Sequence, residues 1–205
     1  MIEFFFESYK NKPGLDILLE AIAFFFGIAS VYLAKKQNIL AYPIGLVATA
    51  ITVFLLYKVG YFGDMVLNVY YSIMSIYGWY VWSGPKATEE KLPITRTTSK
   101  EKFIGIGMFV LTIIVVLIVY KGFQYEIKPE NYIDMLTSGI FFTAMWYMAL
   151  KKIENWTLWI IADIICVPLY AYRGLGMLSL QFVIFTILAI QAYIQWKKIV
   201  DSSSN

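Results

Sequence analysis

Seven apolar runs, each about 17–22 residues long, constrain the fold of this 205-residue chain more than any other feature. They lie at 15–34, 39–57, 62–82, 103–120, 132–150, 156–172 and 175–196. A helix crosses a ~30 Å hydrocarbon core with about 20 apolar residues, because it satisfies its own backbone hydrogen bonds. The composition agrees: 60% of residues are hydrophobic and only 15% are charged. A soluble domain of this size could not cover so much apolar surface. The expected class is an all-α membrane protein with seven transmembrane helices. No cleavable leader is expected, since Met1-Ile2-Glu3 lacks a positive region and no small-residue cleavage site follows the first apolar run.

One connection, Ser83 to Lys102, is long and polar and carries Lys86, Lys91, Arg96, Lys100 and Lys102. It divides the spans into a three-one-three arrangement. Lys and Arg gather on cytoplasmic loops. One side holds six: Lys10, Lys12, Lys58, Lys121, Lys128 and Arg173. The other holds eleven: Lys35, Lys36, the five of the long loop, Lys151, Lys152, Lys197 and Lys198. The second side is expected to be cytoplasmic, with the N-terminus outside and the C-terminus inside.

The two ends of the chain resemble each other. Lys35-Lys36 closes the first span as Lys151-Lys152 closes the fifth, Tyr57-Lys58 the second as Tyr172-Arg173 the sixth, and Trp82 the third as Trp196 the seventh. The offsets are 116, 115 and 114 residues. Lys and aromatic residues gather at helix ends anyway, which is the plainer account. Three agreeing offsets favour a repeat. The expected units are 1–82 and 132–205, joined by a loop and linker helix at 83–131. An odd span between the halves makes the repeats parallel, the architecture of the small sugar transporters called SWEETs.

Several chemistries are excluded. There is no histidine, which removes His-based proton relays, zinc sites and Ser-His catalysis. No G-x-x-x-x-G-K-S/T loop is present. The net charge of +3 sits in loops and does not suggest nucleic-acid binding. The single cysteine, Cys166, rules out internal disulfides. No cofactor or metal site is expected, and no enzyme.

Asn155-Trp156-x-x-Trp159-x-x-x-Asp163 is the motif that carries chemistry. At ~100° per residue, both indoles and the carboxylate fall within about 60° of arc. Asp163 lies ~12 Å into its span at 1.5 Å per residue, near mid-membrane. An ionised group there costs roughly 2.5–3.5 kcal/mol on the gentlest scales and usually faces the protein interior for a reason. Two indoles and a carboxylate suit a flat organic cation. The plainer alternatives are a structural carboxylate, a packed indole at Trp159 and an interfacial belt indole at Trp156.

Other spans offer polar partners. The third carries Asp64, Asn68, Ser72 and Ser75, then Trp79 and Trp82, on one face. Asn68 can donate and accept towards a hydroxyl-rich or amide-bearing solute, or glue two helices. Asp64 is nearer the outer end and suits a helix cap. In the seventh span Gln181 falls near the place equivalent to Asn68, and the two amides could line a pathway or bind each other. Tyr42-Pro43-x-Gly45 and Thr49 of the second span correspond to the Trp159–Asp163 region. Pro43 and Pro168 are expected to interrupt these matched helices, a weak pointer to a transport site. Glu20 and Asp134 are expected near the outer surface.

W-x-x-W-x-x-x-N/D in the sixth of seven spans, with Tyr77-Gly78-Trp79-x-x-Trp82 ending the third, resembles the PnuC family over nearly the whole chain. The resemblance implies a bacterial inner-membrane vitamin transporter with a SWEET-like fold. It implies nicotinamide riboside as substrate, with thiamine and riboflavin carried by relatives. It also implies a homotrimer and trapping by a separate cytoplasmic kinase. Trp156, Trp159 and Asp163 match the family's substrate motif, and Asn68 falls where a family amide would contact the solute. Asp stands at the last motif position where Asn is the alternative, so nicotinamide riboside and thiamine both remain open. No ion-coupling machinery is evident, so facilitated diffusion is the simplest mechanism.

Other classes fit worse. A retinal protein needs a lysine within its last helix, and Lys197 and Lys198 lie only at the end. An aspartyl hydrolase needs a second carboxylate at the depth of Asp163. A non-transporting assembly subunit gives no reason for a buried Trp-Trp-Asp face.

Overall fold

The computed structural model describes residues 13–59, 62–84, 92–122, 129–172 and 176–202. Seven helices make up most of it: α1 Gly14–Lys35, α2 Ala41–Val59, α3 Phe62–Ser83, α4 Ser99–Gly122, α5 Pro129–Ala149, α6 Glu154–Tyr172 and α7 Gly176–Ser202. These follow the seven apolar runs, with α7 running beyond its expected end. Met1-Ile2-Glu3, Lys10, Lys12, Lys86, Lys91, Lys128, Arg173 and the side chain of Asp64 lie outside the described residues.

Helices α1, α2, α4, α6 and α7 are each long and apolar enough to cross a membrane. The other two, α3 and α5, have 22 and 21 residues, a length that spans roughly 30 Å. Polar residues lower their apolarity: Asn68, Ser72 and Ser75 on α3, and Asn131, Asp134, Thr137 and Ser138 on α5. These two helices pack on each other. Ser75, Thr137 and Ser138 are buried, where neighbouring helices rather than lipid surround them. Tyr70 of α3 stacks on Phe142 of α5 with centroids 3.6 Å apart and donates its hydroxyl to the Phe142 carbonyl at 3.0 Å. The outward residues are apolar, including Leu18, Phe25, Phe103, Ile106, Ile164 and Ile187. An apolar girdle of this extent suits acyl chains rather than water.

Helices α1, α2 and α3 pack consecutively, as do α5, α6 and α7, while α4 lies on α5. Between the two groups α1 meets α7 and α3 meets α5. Small residues allow the closest approaches. A methyl group on Gly78 would run into the Tyr42 ring, and one on Gly105 into Tyr147.

The same backbone bonds recur 114 residues apart. The amide of Asn38 donates to Leu33, and that of Lys152 to Tyr147. The preceding residues, Gln37 and Lys151, have positive φ of 56° and 50°, each ending its helix in the left-handed conformation. Lys151 Nζ reaches Gln37 Oε1 at 3.4 Å. Trp82 donates its indole N–H to the Ala149 carbonyl at 3.1 Å, and Trp196 to the Lys35 carbonyl at 3.0 Å. Lys35 is therefore matched with Ala149 and not with Lys151. A lysine can reach the interface from several positions around a helix end, whereas a turn fixes its register.

Pro43 does not interrupt α2. It is the third residue of that helix, in the first turn, where no intrahelical N–H bond is lost. Pro168 is internal to α6.

Candidate substrate site

Helix α6 leaves the lysine-rich end of the molecule at Glu154. Asn155 folds back on the turn, donating Nδ2 to the Lys152 carbonyl at 2.6 Å. Residues 94–97 brace the same turn. Thr95 donates its amide to Lys151 and accepts from Ile153, at 3.2 and 3.0 Å. The Thr97 amide donates to Glu154 Oε2 at 2.9 Å. The turn into α6 is thus held by Thr95 and Thr97, which fixes the direction in which the helix sets out.

Trp156, in the first turn, is 1% exposed and packs edge-on against Trp196 at 5.4 Å. It belongs to the large apolar cluster at the lysine-rich end, together with Ile153, Ala192 and Trp196. Trp159 borders that cluster and a second, smaller one formed by Phe141, Ala162 and Cys166. Its ring faces Phe141 of α5 at 5.0 Å and 38°, and Tyr71 of α3 at 6.3 Å and 43°. Phe182 of α7 stacks on Phe141 at 6.1 Å and on Tyr170 at 5.1 Å. Asp163, one turn beyond Trp159, is 1% exposed. Rings from α3 and α5 thus face the Trp159 indole, Phe182 of α7 packs against Phe141, and the Asp163 carboxylate is buried one turn along α6.

Six buried side-chain polar atoms stand unpaired among the described residues, and two of them, on Trp159 and Asp163, lie one turn apart here. Neither Trp159 Nε1 nor Asp163 Oδ1 has a hydrogen-bond partner among the described residues, and both are buried. Burying such an atom unpaired costs about 1–3 kcal/mol, and more when it is charged. A donor and an acceptor on one helical face can instead serve a solute.

The other expected residues lie elsewhere in the bundle, on α2, α3 and α7. Asn68 is half-buried on α3, one turn before Tyr71, and its carbonyl accepts from Ser72 Oγ at 2.9 Å. Thr49 Oγ1 lies 2.8 Å from Ser72 Oγ and ties α2 to α3. Gln181 places Nε2 against α1, 3.2 Å from where a methyl group on Gly27 would stand. Tyr42 is buried at the lysine-rich end, edge-on to Trp82 at 4.9 Å. Trp156 and Tyr42 thus occupy the same place in the two matched groups of helices. Tyr71, Phe141 and Phe182 were not anticipated, since aromatic residues are common throughout the chain.

Aromatic rings gathered about Trp159, beside the buried carboxylate of Asp163, within a bundle of seven helices of which five are long and apolar enough to cross a membrane, define a multi-pass helical membrane protein. Residues 17–198 match the family described as nicotinamide mononucleotide transporter, and the chain belongs to that family. It is 26% identical over 207 aligned residues to the nicotinamide riboside transporter PnuC of Escherichia coli K12, covering 89% of this chain and 87% of that one. It is 25% identical to the riboflavin/roseoflavin transporter RibM of Streptomyces davaonensis, covering 60% and 58%. Among solved structures, that of the vitamin B3 transporter PnuC has the same fold, with a TM-score of 0.73 at 24% identity over 92% of this chain and 84% of that one.

Proposed function

We propose that this chain carries unphosphorylated nicotinamide riboside into bacterial cells across the inner membrane, by facilitated diffusion. The observation that carries this reading is the buried pair of unpartnered groups, Trp159 Nε1 and Asp163 Oδ1, within a ring of aromatic side chains. The pyridinium of nicotinamide riboside is a flat cation. Its attraction to an aromatic face in a desolvated site is worth about 2 kcal/mol. Asp163 balances the charge or accepts a hydrogen bond, and the indole N–H of Trp159 donates one to the amide or ribose. The names of the relatives supply the substrate.

Thiamine is the second reading. Its thiazolium is also a flat cation, and the carboxylate of Asp163 suits it equally well.

Helices α3, α5 and α6 contain no Lys or Arg. A phosphorylated vitamin would bring two negative charges to Asp163 without compensation. Trapping is then left to a separate cytoplasmic kinase. Two parallel three-helix repeats, 1–82 and 132–205, would rock about the site, with 83–131 as the connecting loop and helix. The lysine-rich end is the cytoplasmic one, and assembly as a homotrimer follows from the family resemblance.

A thermal-shift and calorimetric panel of nicotinamide riboside, thiamine, riboflavin and their monophosphates tests the substrate. Selective stabilisation by nicotinamide riboside is expected. Stabilisation by thiamine alone would replace it as substrate, and equal stabilisation by a monophosphate would overturn the charge argument.

A further inference from the structure

The two matched groups of helices agree at one end of the molecule and differ in the middle. At the lysine-rich end the edge-on pair Tyr42–Trp82 recurs 114 residues on as Trp156–Trp196. At mid-span the same offset sets Gly27 against Phe141, Gly45 against Trp159, Thr49 against Asp163 and Asn68 against Phe182. The second-group members of these pairs gather in space. Phe141 packs on Trp159 and on Phe182, and Asp163 lies one turn along from Trp159.

The glycines explain the difference. A methyl group on Gly45 would stand 2.7 Å from Ser30 Oγ, and one on Gly27 would stand 3.2 Å from Gln181 Nε2. Helices that meet through glycine leave no slot between them. At the matched places in α5 and α6 the chain puts aromatic rings instead. Gly45 brings α2 close to α1 with no ring at the place matched to Trp159, while Gly27 brings α1 close to α7 with no ring at the place matched to Phe141.

We infer that Phe141, together with Tyr71 from α3, forms the second wall of an aromatic slot facing Trp159, and that these two residues select a flat ring in the solute. This rests on the substrate reading of Trp159 and Asp163. Tyr71 stands 6.3 Å from Trp159, close to what an inserted ring requires, and Phe141 stands 5.0 Å away. Two walls with a ring between them lie about 7 Å apart, twice the carbon–carbon contact distance. When a ring enters, Phe141 therefore moves outward by about 2 Å, and both wall rings turn towards parallel from their present tilts of 38° and 43°. Tyr71 belongs to the first group of helices and Trp159 to the second, so a bound ring touches both.

Calorimetric titration of the purified full-length protein with nicotinamide riboside tests this, with melting temperatures recorded alongside. Phe141→Leu and Tyr71→Leu remove one ring each. Phe142→Leu is the packing control, since that ring stacks on Tyr70 at 3.6 Å in the α3–α5 contact. The expected result is a Kd raised tenfold or more in Phe141→Leu and Tyr71→Leu. It should stay within threefold of the parent in Phe142→Leu, even where that variant melts lower. Phe141→Tyr, which keeps the ring, should bind within threefold of the parent. Phe141→Met conserves volume without a ring and replaces the leucine variant if that one does not fold. A Kd within threefold of the parent in the ring-deleting variants, with binding lost in Trp159→Ala, would overturn the slot and leave the substrate reading standing. Parent-like binding by Trp159→Ala would remove both.

Discussion

The indole N–H of Trp196 is bonded to the carbonyl of Lys35 at 3.0 Å, joining the last helix to the end of the first. Trp82 makes the matching bond to Ala149 at 3.1 Å. Both span the boundary between the two groups of helices, at the end of the molecule proposed to face the cytoplasm. Together with Tyr42 and Trp156 they close that end with packed rings. On the proposed reading, release of a solute on that side requires these bonds to part.

Trp82→Phe and Trp196→Phe remove the donor and keep most of the ring surface. Each is expected to lower stability by about 1–2 kcal/mol, the net value of a buried hydrogen bond plus an orphaned carbonyl. Each should also open the closure more often. Cys166, buried and the only cysteine, reports this, and its rate of alkylation by a small thiol reagent should rise in both variants. Unchanged rates would mean that the indole bonds do not govern access.

Asp163→Ala is expected to lose binding while melting at or above the parent temperature. The substitution removes a buried carboxylate whose Oδ1 has no partner among the described residues, so desolvation is relieved. A carboxylate that held helices together would give the opposite sign. Asp163→Asn keeps the shape and should transport at a reduced rate or with altered substrate preference.

Nicotinamide mononucleotide should compete poorly for uptake, because no cation lies on α3, α5 or α6 to receive its phosphate and the lysines of α7, Lys197 and Lys198, lie beyond its apolar run. Competition as strong as that of the free riboside would count against the placing of the site.

The topology is open to labelling. With Cys166 replaced by alanine, a cysteine at Thr98, just before α4, should react only with reagent delivered from the cytoplasmic side. Reaction from outside would invert the assignment based on eleven against six basic residues.

Helix number and extent were legible in the sequence because bilayer thickness sets the length of an apolar run. Asp163 was legible because a charge inside such a run is rare. Trp156 shows where periodicity stops. Spacing places it on the Asp163 face, but only packing reveals that its ring lies against Trp196. Pro43 was misread because its effect depends on its distance from the helix start, which a hydropathy run does not fix. Tyr71 and Phe141 carried no signal among so many aromatic residues. A register of 114 residues, set by the turns at Gln37 and Lys151, would have singled out Phe141 opposite Gly27. Interfacial lysines suggested 116 instead.

The most direct test of the central claim is uptake of labelled nicotinamide riboside into proteoliposomes that contain only this protein. Saturable uptake is expected from the parent, requiring neither nucleotide nor an ion gradient, and abolished in both Trp159→Ala and Asp163→Ala while each remains folded. Parent-like saturable uptake by either variant would contradict the claim that Trp159 and Asp163 hold the solute.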